Sequence, residues 1–493
     1  MEQAPRCAFV IFGMTGDLTA RKLMPALYQL YINGALHPET DIVGFARSDL
    51  DDAGLRDKMK EALQEYVDDF DAAKWEELAS RLSYVDAESY DGADDFEKLK
   101  KHLGELSQEN RVFYTATPPG AYEGIVRALS EAGLNKADGW VRLVVEKPFG
   151  DDLASAQKLN EHVLEHFKES QVYRIDHYLA KETAQNLSAL RFANTLFEPV
   201  WSNRYLDHVQ ITMMEPMGVE GRGSFYEEAG VIRDVFQNHL LQLVALVAME
   251  PPAKWDAVSV RDEKVKVFRA MSCLEPDNAV LGQYKANGDA KGYREEEGVD
   301  PDSNQATYAA ASFDIHNWRW EGVPFYVRSG KRLEGKASEI VLRFKKPPHI
   351  PFDLDATPKA DRLVLRLVPN EGISLRFNAK EPGQGEEMER VSMNFYYDQE
   401  FDRANPDAYE TLLLDVMLGD ATLFMRADEV EGQWRVVQPL LEYWDSGERE
   451  PVFYEAGSAG PKEADDLLER DGRYWHKPGS GKVEEKEVET AAD

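Results

Sequence analysis

The feature that most constrains the fold lies at the start of the chain. Residues 7–12 (CAFVIF) form a short apolar run that opens directly into Gly13-Met14-Thr15-Gly16-Asp17-Leu18. A helical pattern follows, with Leu23, Ala26, Leu27, Leu30 and Tyr31 on one face. Gly34 ends it, and residues 41–46 (DIVGFA) make a second apolar run. Strand, glycine turn, helix and strand form the first half of a dinucleotide-binding unit. The alternation continues through acidic helices over 49–109, a strand over 111–116, a helix over 121–132 and an apolar strand over 141–145. This pattern predicts an α/β domain with a doubly wound parallel sheet, whose strands need no polar face because helices cover both sides.

After about residue 180 the character changes. A long helix is predicted over 228–248, followed by alternating segments at 341–344, 363–367 and 391–397 that read as antiparallel strands. The expectation is an α+β domain with a large, mainly antiparallel sheet. The division expected is a dinucleotide-binding domain over 1–175, a second domain over 176–476 and a polar tail over 477–493.

Charge narrows the partners. Lys and Arg total 57 against 90 Asp and Glu, a net charge of −33. Such a chain lacks the basic face that displaces counterions from nucleic acid, and it is repelled by anionic lipid. Cys7 and Cys273 provide neither a disulfide framework nor paired metal ligands, which fits a reducing compartment. The longest apolar stretch, 240–249, contains Gln242 and is too short to span a bilayer. Met1 to Arg6 leads straight into a strand with no secretion signal, so a cytoplasmic location is expected.

Gly13-x-x-Gly16 between strand and helix suits a nucleotide phosphate, because glycines let the backbone approach and the helix N-terminus presents free N–H groups. An ordinary tight turn uses the same residues. Arg47 stands just past the second strand, where an acidic residue would select NAD; a cation there accommodates a 2′-phosphate and favours NADP. An exposed surface arginine is the plainer alternative.

Four further segments are more specific: Glu146-Lys147-Pro148-Phe149-Gly150; Arg174-Ile175-Asp176-His177-Tyr178-Leu179-Ala180-Lys181-Glu182; Arg233-Asp234-Val235-Phe236-Gln237-Asn238-His239-Leu240-Leu241-Gln242; and Arg328-Ser329-Gly330-Lys331-Arg332-Leu333. With GMTGDLTARKL at 13–23 they closely resemble the glucose-6-phosphate dehydrogenase family, in order and spacing, over nearly the whole chain. The resemblance implies a Rossmann domain joined to a β+α domain and an assembly of two or four identical chains. It also implies oxidation of glucose 6-phosphate at C1 to 6-phosphoglucono-1,5-lactone by NADP, with NAD tolerated, in the first step of the oxidative pentose phosphate pathway.

By this resemblance His239 is the base. Histidine titrates near neutrality and suits that task, though a helix histidine among Asp234, Gln237 and Asn238 also fits a satisfied core residue. Asp176 orients it, as carboxylates do in other histidine dyads. His177, Tyr178 and Lys181 anchor the phosphate, a donor set matched to a dianion. Glu215 and Asp234 accept from sugar hydroxyls, while Lys331 and Lys336 approach the substrate from the second domain. Gly13, Met14, Thr15, Gly16, Asp17, Leu18 and Arg47 hold the coenzyme, and Lys22 and Lys147 face both ligands. The Lys147–Pro148 bond is expected to be cis. No metal is implied, since histidine and lysines handle the developing charge. Many relatives carry Gln where this chain has Val368, and Val368 cannot reproduce that side chain's hydrogen bonds. Two competing readings are another Rossmann-fold sugar oxidoreductase and a non-catalytic protein that binds NADP or sugar phosphate.

Overall fold

The computed structural model describes residues 2–106, 108–352, 358–383, 387–401, 406–447 and 449–479. Its chain divides into two units. The first comprises Met1–Lys181, Pro252–Asp262 and Pro406–Glu431, and the second comprises Glu182–Pro251, Glu263–Asn405 and Gly432–Asp493.

In the first unit β1 (Ala8–Phe12), β2 (Asp41–Ala46), β3 (Leu82–Asp86), β4 (Arg111–Thr115), β5 (Val141–Val145) and β6 (Val172–Ile175) lie in the order β6-β5-β4-β1-β2-β3. All these pairings are parallel. The order reverses at β1, which creates a crevice outside the carboxyl ends of β1 and β4 where such sheets take ligands. β1 and β2 are buried at every residue, as helices on both faces require. Leu82–Asp86 was expected to be helical and is instead the edge strand. It pairs on one side only and leaves Ser83, Tyr84 and Asp86 partly or fully exposed, so it lacks the apolar run of its neighbours. Helices Asp52–Tyr66, Ala72–Ala79 and Ala93–Glu105 account for the rest of that acidic stretch.

The sheet is completed from far along the chain. Phe424–Met425 pairs antiparallel with β6. The helix Ala408–Leu418 adds Leu412, Leu413, Val416 and Met417 to the core that holds Phe9, Ile11 and Leu27. Arg142, on β5, donates to the carbonyls of Val416 (2.6 Å) and Met417 (2.7 Å), satisfying acceptors that the end of that helix leaves open.

The second unit is built on a nine-stranded sheet. Its strands are β7 (Leu206–Met214), β8 (Ala279–Lys285), β9 (Tyr308–Phe313), β10 (Phe325–Gly330), β11 (Ala337–Phe344), β12 (Arg362–Val368), β13 (Gly372–Lys380) and β14 (Met388–Tyr396), with Val452–Glu455 at the far edge. The order is β14-β13-β12-β11-β7-β10-β9-β8 and then Val452–Glu455. Pairings are antiparallel except β7 with β10 and β8 with Val452–Glu455. The expected strands at 341–344, 363–367 and 391–397 fall within β11, β12 and β14, although β14 stops at Tyr396 and Tyr397 opens a short helix.

The helix expected over 228–248 is not continuous. Gly230 takes φ +57°, and a Cβ there would lie 2.3 Å from Gln305 Oε1. The chain then forms a π-helical stretch, Ile232–Leu240, before a regular helix, Leu241–Ala248, that is buried all round. Of the predicted tail, residues 480–493 lie outside the described residues. Among the described residues, no helix is long and apolar enough to cross a membrane.

Candidate active site

In the first unit, the turn after β1 has the shape its glycines predict. Gly13 takes φ +80°, and a Cβ on it would sit 2.3 Å from the Ala116 carbonyl oxygen. Only glycine fits there. The Gly16 amide donates to Gly13 O (2.9 Å) and the Thr19 hydroxyl to the same oxygen (3.3 Å), which folds the backbone tightly ahead of the helix. Met14 is buried, whereas Thr15 lies 2.9 Å from the Ser48 hydroxyl. Asp17 is exposed and pairs with Arg21 at 2.7 Å, and Leu18 is half-buried. The next turn of the helix, Thr19–Leu23, is π-helical; Lys22 stands on it and pairs with Asp407 at 2.9 Å. Arg47 is exposed past the end of β2, its guanidinium 5.2 Å from the centre of the Tyr90 ring. Burial raises the Tyr90 phenol pKa, and the Arg47 charge partly offsets this.

At the end of β5 the buried Glu146 carboxylate precedes Lys147. One oxygen, Oε1, accepts from Tyr114 (2.5 Å) and from Tyr409 (3.2 Å). Burial pushes the Glu146 carboxyl above the ordinary range, while the two phenols and the Lys147 charge pull it back. The Lys147–Pro148 bond is cis, as expected; Val368–Pro369 is cis too, which the sequence did not suggest.

One turn at the carboxyl end of β6 gathers the proposed phosphate anchor. Asp176 is buried, and its Oδ1 accepts from the Tyr178 amide (3.0 Å) while its carbonyl accepts from Leu179 (3.1 Å). The coiled backbone sets the His177 ring 5.0 Å from that of Tyr178 and the Lys181 ammonium 4.1 Å from the Tyr178 ring centre. Tyr409 also stacks on His177, with centroids 6.5 Å apart and planes within 14°.

In the second unit, β7 and β10 run parallel as neighbours, so Glu215 and Lys331, which follow them, emerge at one sheet edge. The Glu215 amide donates to Gly330 O (3.0 Å), and Lys331 Nζ donates to Glu215 Oε2 (2.6 Å). Lys331 is nearly buried and lies 5.2 Å from the centre of the Tyr226 ring. Burial, then the nearby Asp234 and Glu215 charges, raise the Tyr226 phenol far above its usual pKa. Its hydroxyl is buried with no hydrogen-bond partner among the described residues. Lys336 is exposed before β11 and makes no hydrogen bond or ion pair among the described residues, so it is not drawn into this group.

His239 is buried on the π-helical stretch that also carries Asp234. Its amide donates to the Asn238 side-chain oxygen (2.6 Å), and Asn238 Nδ2 donates to Arg233 O (3.1 Å). A buried relay fixes this stretch: Lys264 donates to Gln242 (3.1 Å), Gln242 to Gln433 (3.2 Å) and Gln433 to the Asn238 carbonyl (3.2 Å). π-Helical turns recur at functional sites, and the candidate residues occupy two of them.

The sequence missed Tyr114, Tyr226, Asp407 and Tyr409. Asp407-Ala408-Tyr409-Glu410 is a legible capping box, with the Asp407 carboxylate accepting from Tyr409 N and Glu410 from Asp407 N. That signature marks a helix start, but not the distant residues the helix joins.

Residues 10–186 match the model for the glucose-6-phosphate dehydrogenase NAD binding domain, and residues 188–476 match that for the C-terminal domain. The chain is 47% identical over 500 residues to a glucose-6-phosphate 1-dehydrogenase of Aggregatibacter actinomycetemcomitans, covering 98% of this chain and 100% of that one. For the enzyme of Chlamydia pneumoniae the identity is 44%, covering 96% of each chain. A solved structure of glucose-6-phosphate dehydrogenase in complex with its substrate glucose-6-phosphate superposes with a TM-score of 0.90 at 37% identity, over 97% of this chain and 100% of that one. The glucose-6-phosphate 1-dehydrogenase of Mycobacterium avium gives 0.86 at 36% identity, over 97% and 99%. The chain therefore belongs to the glucose-6-phosphate dehydrogenase family.

Proposed function

We propose that this protein oxidises glucose 6-phosphate at C1, giving 6-phosphoglucono-1,5-lactone, with NADP as acceptor. The observation that carries this reading is the turn after β6, where His177, Tyr178 and Lys181 gather an imidazole, a phenol and an ammonium on a backbone tied down by Asp176. That donor set suits a phosphate dianion and has no use for an unphosphorylated sugar.

The residues around Gly13 fit a dinucleotide. A Cβ on Gly13 would collide with Ala116 O, so only glycine lets the backbone pass there, and a helix N-terminus follows directly. Arg47 in place of an acidic residue supports NADP over NAD. A nicotinamide dinucleotide held there would supply the acceptor for the hydride from C1. His239 takes the C1 hydroxyl proton, and Asp176 stabilises the resulting imidazolium. His177, Tyr178 and Lys181 hold the phosphate. Lys331, placed by Glu215, and the Asp234 carboxylate orient the sugar hydroxyls, with Lys336 at the periphery. Lys22, set by Asp407, and Lys147, set by Glu146, face both ligands. The coenzyme domain is built on 1–175 and completed by 252–262 and 406–431, and the rest of 176–476 is the substrate and assembly domain of a cytoplasmic homodimer or homotetramer.

NADPH formation at 340 nm tests this with glucose 6-phosphate, with glucose, and with a folded His239→Asn variant. Turnover is expected only with the phosphorylated sugar and is expected to fall about 10²–10⁴-fold in the variant. Equal rates with glucose would assign the chain to another class of sugar oxidoreductase. NADP binding without turnover would make it a sensor.

A further inference from the structure

Away from every residue assigned to the reaction, the helix Leu153–His166 ends in Glu161-His162-Val163-Leu164-Glu165-His166. His162 and His166 are one turn apart and share a face. Their ring centroids lie 4.9 Å apart, nearly edge to face at 71°. One nitrogen from each ring and one Glu165 carboxylate oxygen all lie within 4.8 Å of one another. Paired i, i+4 histidines are a zinc-binding pattern, and imidazole suits zinc, copper and nickel rather than magnesium or calcium.

A second observation points the same way. His162 Nε2 lies 2.9 Å from the Glu123 carbonyl oxygen, which can only accept, so Nε2 carries the hydrogen and Nδ1 presents the lone pair. A ligand imidazole whose other nitrogen donates to a carbonyl is the outer-shell arrangement that orients histidines on metals. The backbone of the last turn is also fixed, since Asn135 Nδ2 donates to the His166 carbonyl at 2.7 Å. A helix C-terminus favours a cation, and Glu161 and Glu165 add negative charge. Tetrahedral ligands about 2.0–2.1 Å from zinc sit about 3.3 Å apart, so rotamer changes of roughly 1–2 Å would close the set. The two rings are half-buried and Glu165 is exposed, so an ion can enter and keep a water ligand.

We propose that His162, Glu165 and His166 form a zinc site on the first unit. When loaded, it reinforces the junction that the His162–Glu123 hydrogen bond already makes between the end of Leu153–His166 and the neighbouring helix Tyr122–Glu131.

The full chain, stripped with EDTA and dialysed, is titrated with Zn2+ by calorimetry and melted with and without Zn2+. One binding event is expected that raises the melting temperature. His166→Gln and His162→Gln should each weaken it about tenfold or more, while His177→Gln should leave it in place. Glu165→Gln serves as a milder variant, expected to weaken the event less. All variants should still melt cooperatively in EDTA, and each is compared with its own metal-free melt. The proposal is overturned by the absence of any such event, by an event that survives His162→Gln/His166→Gln, or by one that His177→Gln abolishes.

Discussion

Removing one oxygen atom from Tyr409 tests how the Glu146-Lys147 segment is held. Tyr409→Phe keeps the ring stacked on His177 and deletes one of the two phenols that donate to Glu146 Oε1. A hydrogen bond to a charged buried group is worth about 1.5–3 kcal/mol. At 3.2 Å this contact is at the long limit, so the expected loss is about 1.5 kcal/mol, against about 3 kcal/mol for Tyr114→Phe, whose bond is 2.5 Å. The sign of its pH dependence follows from burial. Glu146 has a folded pKa above its unfolded one, so the folded chain holds that proton more tightly, and stability falls as pH rises from the ordinary carboxylate value to the raised one. The Tyr409 phenol opposes this shift by favouring the carboxylate. Its loss should therefore destabilise the chain more at about pH 8 than at about pH 4.5, where the folded chain holds the Glu146 proton more tightly than the unfolded one. Urea unfolding of both proteins at the two pH values measures the difference. An equal loss at both, or a larger one at the lower pH, would refute the argument that Tyr409 stabilises the ionised form.

The other expectations are simpler. Gly13→Ala forces a Cβ to 2.3 Å from Ala116 O at φ +80°, and should weaken NADP binding by about tenfold or more in fluorescence titration and lower the melting temperature. Arg47→Glu should invert the coenzyme preference, read as the ratio of kcat/KM with NADP to that with NAD. Tyr226→Phe removes a buried hydroxyl that lacks a partner among the described residues, so stability should hold or rise by up to about 1 kcal/mol. If a substrate hydroxyl is its partner, KM for the sugar phosphate should rise at the same time. Asp415 has its carboxyl pushed up to about 7 by burial and then by the Asp420 charge. Its stabilising contribution is lost as pH rises from the ordinary aspartate value toward 7, so Asp415→Asn should raise the melting temperature by about 2–4 °C above pH 7 and by progressively less as pH falls toward 4.

What the sequence revealed depended on how far apart the cooperating residues were. β1, β2, β4 and β5 were legible because strands covered on both faces are continuous apolar runs next to glycine turns and helices. β3 was not, because Ser83, Tyr84 and Asp86 resemble the acidic helices around it. In the second sheet β11 and β12 were found, while β9 and β10, buried at every position, show no alternation to detect. The break at Gly230 depends on Gln305, which no local pattern connects to it. Within the site, short motifs exposed the residues of single turns, Asp176 to Lys181 above all. Tyr409, more than 200 residues from His177 and Glu146, could only be placed by the fold.

The late contribution of Pro406–Glu431 to the first unit has a consequence for biosynthesis. A ribosome finishes the six parallel strands by residue 181, but the helix and strand that complete them follow about 220 residues later. At about 5–20 residues per second that interval is on the order of 10–45 s. Throughout it the outer edge of β6 lacks its neighbour and the surface later covered by Leu412, Leu413, Val416, Met417 and Phe424 is bare. The nascent chain thus exposes an adhesive edge for nearly half of its synthesis. Crowded polysomes, slowed translation and premature termination anywhere between residues 181 and 406 should be the conditions under which it aggregates.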